Sequence, residues 1–154
     1  MLTAIMCVLA PISLPIGSVP LNLGLFLVLL ISLIENARIS TVVVMIYLVL
    51  GAFGIPVFAS FRGGISVLLG PTGGFLLSYM IIPSFISKSK NKTIGMIISV
   101  IFCHIIGTLY FSYITETKLI NSFYIASLPF IIFDIAKIIG AYFLGNKMNT
   151  ILKR

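Results

Sequence analysis

The sequence predicts an all-α, polytopic membrane protein with six transmembrane helices, on the basis of three observations. First, 60% of its 154 residues are hydrophobic and 8% are charged, whereas an ordinary soluble domain is about 25% charged. Second, the mean hydropathy of +1.24 is typical of a chain whose solvent is lipid. Third, the apolar residues form runs separated by polar or Gly/Pro-rich stretches. We expect residues 1–154 to form a single transmembrane domain.

Each apolar run is interpreted as one helix. Helices 1 and 3 are expected to end at Pro/Gly clusters, because proline and glycine disfavour a continuing helix, and helices 2 and 4 at charged stretches. The first run is shorter than the roughly 20 residues that span a bilayer, so we expect the native chain to begin upstream. The predicted helices cover residues 2–13, 22–34, 40–53, 73–87, 93–114 and 123–144.

Between predicted helices 3 and 4 lies FRGGISVLLGPTGGF, residues 61–75, called here the Gly/Pro segment. It contains five glycines, one proline and one arginine. Irregular backbone at membrane depth is tolerated only where it is buried in protein or lines a cavity. We therefore expect the Gly/Pro segment to be buried in protein or to cover a cavity as a lid or wall.

The basic residues predict the orientation in the membrane. The net charge is +7, but these residues lie in short gaps between apolar runs rather than among aromatic residues, which argues against nucleic-acid binding. With a cytoplasmic N-terminus, seven basic residues lie inside and two outside, as the positive-inside rule requires. We therefore expect a protein of the cell membrane with both termini in the cytoplasm. The inside residues are Arg38, Lys88, Lys90, Lys92, Lys147, Lys153 and Arg154, and the outside residues are Arg62 and Lys118.

Asp134 and Lys137 are the strongest candidates for ligand binding. They lie three residues apart in an apolar run, so a helix places both on one face. Charges inside a membrane helix are costly and normally face the protein interior or a water-filled cavity. The pair can be a structural ion pair, a proton or ion relay, or a clamp in which Asp134 accepts hydrogen bonds and Lys137 donates them. Such a clamp would read a neutral ligand with adjacent N–H groups and a C=O group.

Arg62 is the second candidate. Its guanidinium fork can bind a carboxylate through two hydrogen bonds, although a solvated loop cation is an equally plain interpretation. The neighbouring glycines do not form a nucleotide-binding loop, because that pattern needs Gly-Lys-Ser/Thr and Gly70 is followed here by Pro71 and Thr72.

The remaining polar residues give weaker signals. His104 is expected to form an interhelical hydrogen bond rather than a ligand contact. Cys7 and Cys103 lie in apolar runs and are expected to be small buried hydrophobes, so we expect neither a disulfide nor a metal site. No catalytic arrangement was recognised, and nothing in the sequence argues for an enzyme. Tyrosines on the apolar runs are expected to line a pocket or to lie at the membrane interface: Tyr47, Tyr79, Tyr110 and Tyr142.

Four motifs in order resemble those of the BioY family: PIGSVPLNLG, GIPVFASFRGG, GPTGGF and PFIIFDIAK. Members of this family are the biotin-specific substrate-binding (S) components of energy-coupling factor (ECF) transporters. The resemblance implies high-affinity capture of biotin at the outer face, and energising partners comprising a transmembrane coupling subunit and two cytoplasmic ATPases. It also implies that biotin is a ligand and that no cofactor is bound. The alternative function is a stand-alone proton-coupled transporter of a small polar solute.

The resemblance also implies roles for individual residues. Asp134 and Lys137 would bind the ureido ring of biotin, and Arg62 its valerate carboxylate. Glycines of the Gly/Pro segment would let the backbone approach the ligand closely, and two tyrosines would complete the site. Those glycines and tyrosines are Gly63, Gly64, Gly73, Gly74, Tyr47 and Tyr142.

Two departures from the family pattern concern the N-terminal part of the chain. Asn22 and Gly24 stand where the family usually has threonine and glutamine, which argues against a side-chain contact to the ligand there. In helix 1, Ala4 and Val8 stand where an Ala-x-x-x-Ala stripe usually contacts the coupling subunit. We expect Ala4 and Val8 to form this contact.

Overall fold

The computed structural model describes residues 1–16 and 19–152, which form a mostly helical bundle with one short hairpin. In chain order, its elements are α1 Leu2–Leu9, β1 Ser13–Ile16, β2 Val19–Asn22, α2 Gly24–Ile34, α3 Ala37–Ala52, a 3₁₀ turn Ala59–Phe61, α4 Ile65–Leu68, α5 Gly73–Ser78, α6 Ile82–Lys88, α7 Lys92–Thr115, α8 Leu119–Ala126 and α9 Leu128–Leu152.

The first helix is shorter than predicted. It ends at Leu9, and Ser13 belongs to β1, which pairs antiparallel with β2 so that Ser13 faces Asn22. Pro11 accounts for this end, because it has no backbone N–H to continue the helical hydrogen bonds after Ala10, which still has helical angles. A hairpin thus replaces the last turn of predicted helix 1 and the connection to α2.

Predicted helices 4 and 6 are each broken in two. Helix 4 consists of α5 and α6, and helix 6 of α8 and α9, with the second break at Ser127. Pro83 and Pro129 lie in the first turns of α6 and α9. A proline ring clashes with the carbonyl four residues earlier and removes one hydrogen bond, which accounts for both breaks.

The central packing places α2 along α9, and α5 and α6 against α7. Within the described residues, α7 and the stretch from Leu128 to Ile151 in α9 are long and apolar enough to cross a membrane. Both helices also expose aliphatic side chains such as Ile101 and Ile132. The interior faces of the same two helices carry the polar groups described next.

Candidate functional site

Helix α9 holds Asp134 and Lys137 in direct contact. Their spacing of one helical turn brings Lys137 Nζ to 2.8 Å from Asp134 Oδ1, where it donates a hydrogen bond. Asp134 is 4% exposed, so its charge is buried beside its partner. Charge-assisted bonds of this length are among the stronger hydrogen bonds in proteins.

His104 on α7 contacts the other oxygen of the same carboxylate. The distance from His104 Nε2 to Asp134 Oδ2 is 2.8 Å, and that from His104 Nδ1 to Ser127 Oγ is 2.9 Å. Ser127 Oγ in turn lies 2.6 Å from Thr108 Oγ1. The histidine therefore makes the interhelical hydrogen bond that the sequence indicated, and the break between α8 and α9 supplies its second partner.

One cavity is lined by Asp134, Lys137 and Arg62 together. Helix α9 supplies the acid and the lysine, while the Gly/Pro segment supplies the arginine. The cavity has a volume of about 60 Å³, enough for several water molecules, since one water needs about 10–15 Å³ of such space. Aromatic side chains form much of the remaining wall: Phe58, Phe75, Tyr79 and Phe130.

The backbone around Arg62 is tightly held. Phe58 N–H donates to Arg62 O at 2.9 Å, and Arg62 Nε donates to Ala59 O at 3.4 Å. Ser60 and Phe61 have φ angles of 59° and 55°, a left-handed conformation that is uncommon for residues other than glycine. Such strain persists only where the surroundings impose it, so the position of Arg62 is defined by its neighbours.

The hairpin contacts the 3₁₀ turn before Arg62 through two serines. Ser13 Oγ accepts a hydrogen bond from Ser60 N–H at 2.9 Å, and the two hydroxyls also lie 2.9 Å apart. The β2 strand contributes Asn22 to the cavity wall. The Asn22 Oδ1 atom accepts the Gly24 N–H at 3.0 Å, and among the described residues its side-chain amide nitrogen has no hydrogen-bond partner.

The glycines of the Gly/Pro segment have mainly structural roles. A Cβ atom on Gly63 would lie 2.4 Å from Ile55 O, and one on Gly74 would lie 2.4 Å from Tyr110 Cβ. Gly64 has a φ of 100° and precedes α4, and a Cβ on Gly73 would overlap the Leu68 carbonyl. The structure therefore places these four glycines at close backbone and helix contacts, outside the wall of the cavity.

Tyr47 and Tyr142 also lie away from the cavity wall. Tyr47 is buried and packs edge-on against Phe58, with ring centroids 5.5 Å apart. Tyr142 is 39% exposed on α9. Tyr47 thus supports a wall residue from behind, whereas Tyr142 faces outward.

Sequence reasoning missed several wall residues. Asn22 departs from the family pattern and Thr72 follows Gly70 and Pro71 in place of a nucleotide-binding motif, so the sequence alone assigns neither residue to the ligand. Both line the cavity. The available signal was a polar side chain in an otherwise apolar stretch, since buried polar groups need a partner. Phe58 and Phe75 carried no such signal, because aromatic residues are frequent throughout the chain.

Comparison with known proteins places this architecture in a family. The sequence model of the BioY family matches residues 1–154. The biotin transporter BioY2 of Lactococcus lactis subsp. cremoris is 38% identical over 144 residues, covering 88% of this chain and 79% of that protein. The probable biotin transporter BioY of Pyrococcus horikoshii is 34% identical over 143 residues, covering 91% of this chain and 86% of that protein.

The fold is also similar to a crystal structure. It matches the S-component for biotin from an ECF-type ABC transporter with a TM-score of 0.88 and 25% identity, covering 97% of this chain and 87% of the other. The agreement therefore extends over nearly the whole chain in both sequence and fold. This chain belongs to the BioY family.

Proposed function

We propose that this chain is the high-affinity biotin-binding S component of an ECF-type ABC transporter. It captures biotin at the outer face of the membrane for ATP-driven uptake by partner subunits. The observation that carries the proposal is the shared cavity of Asp134, Lys137 and Arg62, in a chain whose relatives are biotin transporters. The carboxylate and ammonium groups suit the ureido ring of biotin, and the guanidinium group suits its carboxylate.

The ureido ring of biotin is proposed to bind at Asp134 and Lys137. An ionised carboxylate has about four lone-pair sites, and the hydrogen bonds from His104 and Lys137 use two of them. One of the remaining sites can accept one ureido N–H group, the one that lies next to the C=O group on the side of Asp134. Lys137 has three N–H donors, of which one contacts Asp134, so another can donate to the ureido C=O.

The valerate carboxylate is proposed to bind at Arg62. Within the described residues, Arg62 uses only its Nε as a donor, to Ala59 O, which leaves the terminal nitrogens for a carboxylate. Guanidinium and carboxylate groups match in a two-bond geometry. The aromatic walls between the charged groups suit the thioether ring and the alkyl chain of biotin.

Capture requires the cavity to widen. Its volume of about 60 Å³ is below the roughly 300 Å³ at the lower end of small-molecule sites. Two wall elements meet at a small polar contact, the pair formed by Ser13 and Ser60. We propose that the hairpin and the 3₁₀ turn Ala59–Phe61 separate there to admit biotin. The Gly/Pro segment, which begins in this turn, is proposed to act as the lid.

The membrane arrangement is proposed to be a single domain with six spans and cytoplasmic termini. The broken pairs α5–α6 and α8–α9 each count as one span in this proposal. The distribution of basic residues supports the orientation, and in this proposal the Gly/Pro segment and the cavity entrance lie on the outer side.

The proposed partners are a coupling subunit and two cytoplasmic ATPases, which would perform the ATP hydrolysis. Ala4 and Val8 are exposed on one face of α1, with Val8 67% exposed. This exposed face supports α1 as the contact with the coupling subunit. The chain itself is proposed to be a substrate-binding subunit rather than an enzyme.

Calorimetric titration of the purified chain in detergent tests the proposal. We expect one biotin to bind per chain, and uptake into proteoliposomes to require ATP and the partner subunits. An absence of saturable biotin binding by folded protein would overturn the assignment. Uptake by this chain alone that a protonophore abolishes would instead establish the proton-coupled alternative.

A further inference from the structure

We infer that His104 is a positioning residue for biotin recognition, which fixes the orientation of the Asp134 carboxylate through a hydrogen-bond chain that begins at Thr108. The inference rests on the proposed function, because its effect is exerted through the proposed ureido site. It assigns a role in biotin binding to His104 and Thr108 on α7 and to Ser127 at the break between α8 and α9.

The geometry around Asp134 shows why a second partner is needed. A carboxylate held only by Lys137 can rotate about its own side-chain bonds, since terminal torsions of this type are broad. The bond from His104 Nε2 to Oδ2, at 2.8 Å, comes from a different helix than the bond to Oδ1. Two fixed points on separate helices define the plane of the carboxylate, and therefore the directions of its remaining lone pairs.

The histidine ring is itself held in place. Its Nδ1 lies 2.9 Å from Ser127 Oγ, which lies 2.6 Å from Thr108 Oγ1. Its ring packs edge-on against Phe75, with centroids 6.1 Å apart. Ser127 is fully buried and Thr108 is nearly so. The ring therefore has a defined position before any ligand binds.

The donor and acceptor roles are consistent along the hydrogen-bond chain from Thr108 to Asp134. An ionised carboxylate only accepts, so His104 Nε2 carries the hydrogen that is donated to Asp134. In the neutral imidazole, Nδ1 then accepts the Ser127 hydroxyl hydrogen, and the Thr108 hydroxyl donates to Ser127 Oγ. Every group in this chain is satisfied, as buried polar networks require. The lone pairs of Asp134 that face the cavity remain for the ligand.

Two substitutions of His104 separate positioning from packing. The amide nitrogen of glutamine can reach the place of Nε2, whereas that of asparagine reaches only the place of Nδ1. We expect His104→Asn to raise the Kd for biotin about tenfold or more, because a hydrogen bond to a charged group is lost. We expect His104→Gln to recover a large part of that loss. Tyr113→Phe, at an 81% exposed position on the same helix, is the control and should leave the Kd unchanged.

A double-mutant cycle shows whether His104 acts through Asp134. If it does, His104→Asn has little further effect on the Kd in an Asp134→Asn background, whereas it has its full effect in an Arg62→Gln background. A merely structural histidine would lower the affinity by the same factor in both backgrounds. Equal losses in the two backgrounds, or equal Kd values for His104→Asn and the unmodified chain, would overturn the inference.

Ser127→Ala provides the test if His104→Asn does not fold. It removes the hydrogen bond that holds Nδ1 and leaves His104 and Asp134 in place, so we expect a three- to tenfold rise in Kd. An unchanged Kd for this variant would contradict the inference. If the unmodified, folded chain fails to bind biotin, the proposed function fails instead, so the two failures are distinguishable.

Discussion

Replacement of Asp134 by asparagine tests the proposed ureido site most directly, because it removes the negative charge and preserves the size of the side chain. Both carboxylate oxygens of Asp134 accept hydrogen bonds of 2.8 Å, from Lys137 and His104. One of the remaining lone-pair sites is assigned to an N–H group of the biotin ureido ring. Asparagine has one acceptor oxygen, and its amide nitrogen is a donor.

The expected loss of affinity follows from this count of acceptors. At least one hydrogen bond from biotin to a charged acceptor disappears, and such a bond contributes about 1.5–3 kcal/mol. Since 1.4 kcal/mol corresponds to about a tenfold change in Kd, we expect Asp134→Asn to raise the Kd for biotin about ten- to hundredfold. Isothermal titration calorimetry of the purified chain measures this directly, and size-exclusion chromatography shows whether the variant is folded.

Glu35→Gln is the matched control, because it is also an acid-to-amide change and lies at the corner between α2 and α3, outside the cavity wall. Its Kd should equal that of the unmodified chain. The assignment of Asp134 would be refuted if a folded Asp134→Asn variant bound biotin within twofold of the Glu35→Gln control.

Three further predictions follow from the same geometry. Arg62→Gln should raise the Kd for biotin about tenfold in calorimetry. It should leave the Kd for biotin amide, which lacks the carboxylate, nearly unchanged. Equal losses of affinity for both ligands would exclude a carboxylate contact. Gly74→Ala should lower the unfolding temperature in detergent, because its Cβ would lie 2.4 Å from a neighbouring side chain and overpacking costs about 1–3 kcal/mol. Gly140→Ala, whose nearest contact is 3.4 Å, is its control, and equal unfolding temperatures would contradict the packing role. A disulfide between cysteines at Ser13 and Ser60 should slow biotin association until it is reduced; an unchanged association rate would show that the two elements need not separate.

The candidate binding groups were accessible to sequence reasoning because charge is rare in this chain. Asp134 and Lys137 stand out in an apolar run, and their spacing predicts a contact on one helical face. Arg62 was indicated by its motif. The structure brings these three residues to one cavity, although no feature of the sequence measures the distance between the Gly/Pro segment and α9.

The glycines show where sequence reasoning reaches its limit. Their density predicted irregular backbone, and the left-handed Phe61 and the turn at Gly64 agree with that. Whether a glycine contacts the ligand depends on which atoms lie opposite its Cα atom. Gly73 lies against the Leu68 carbonyl, and Gly74 lies against the Tyr110 side chain. A glycine has no side chain to indicate its neighbour, so only the packed structure reveals its role.

Composition and residue spacing were enough to predict the membrane environment, the helical class and the rare polar groups, because lipid requires apolar side chains and satisfied backbone hydrogen bonds. Only the packed fold shows which distant groups meet, because these contacts join residues far apart in the chain. Prolines at 83 and 129 split two predicted helices, and the second break places Ser127 beside His104. His104 and Asp134 are thirty residues apart in the chain, and only the packing of α7 against α9 brings them into contact.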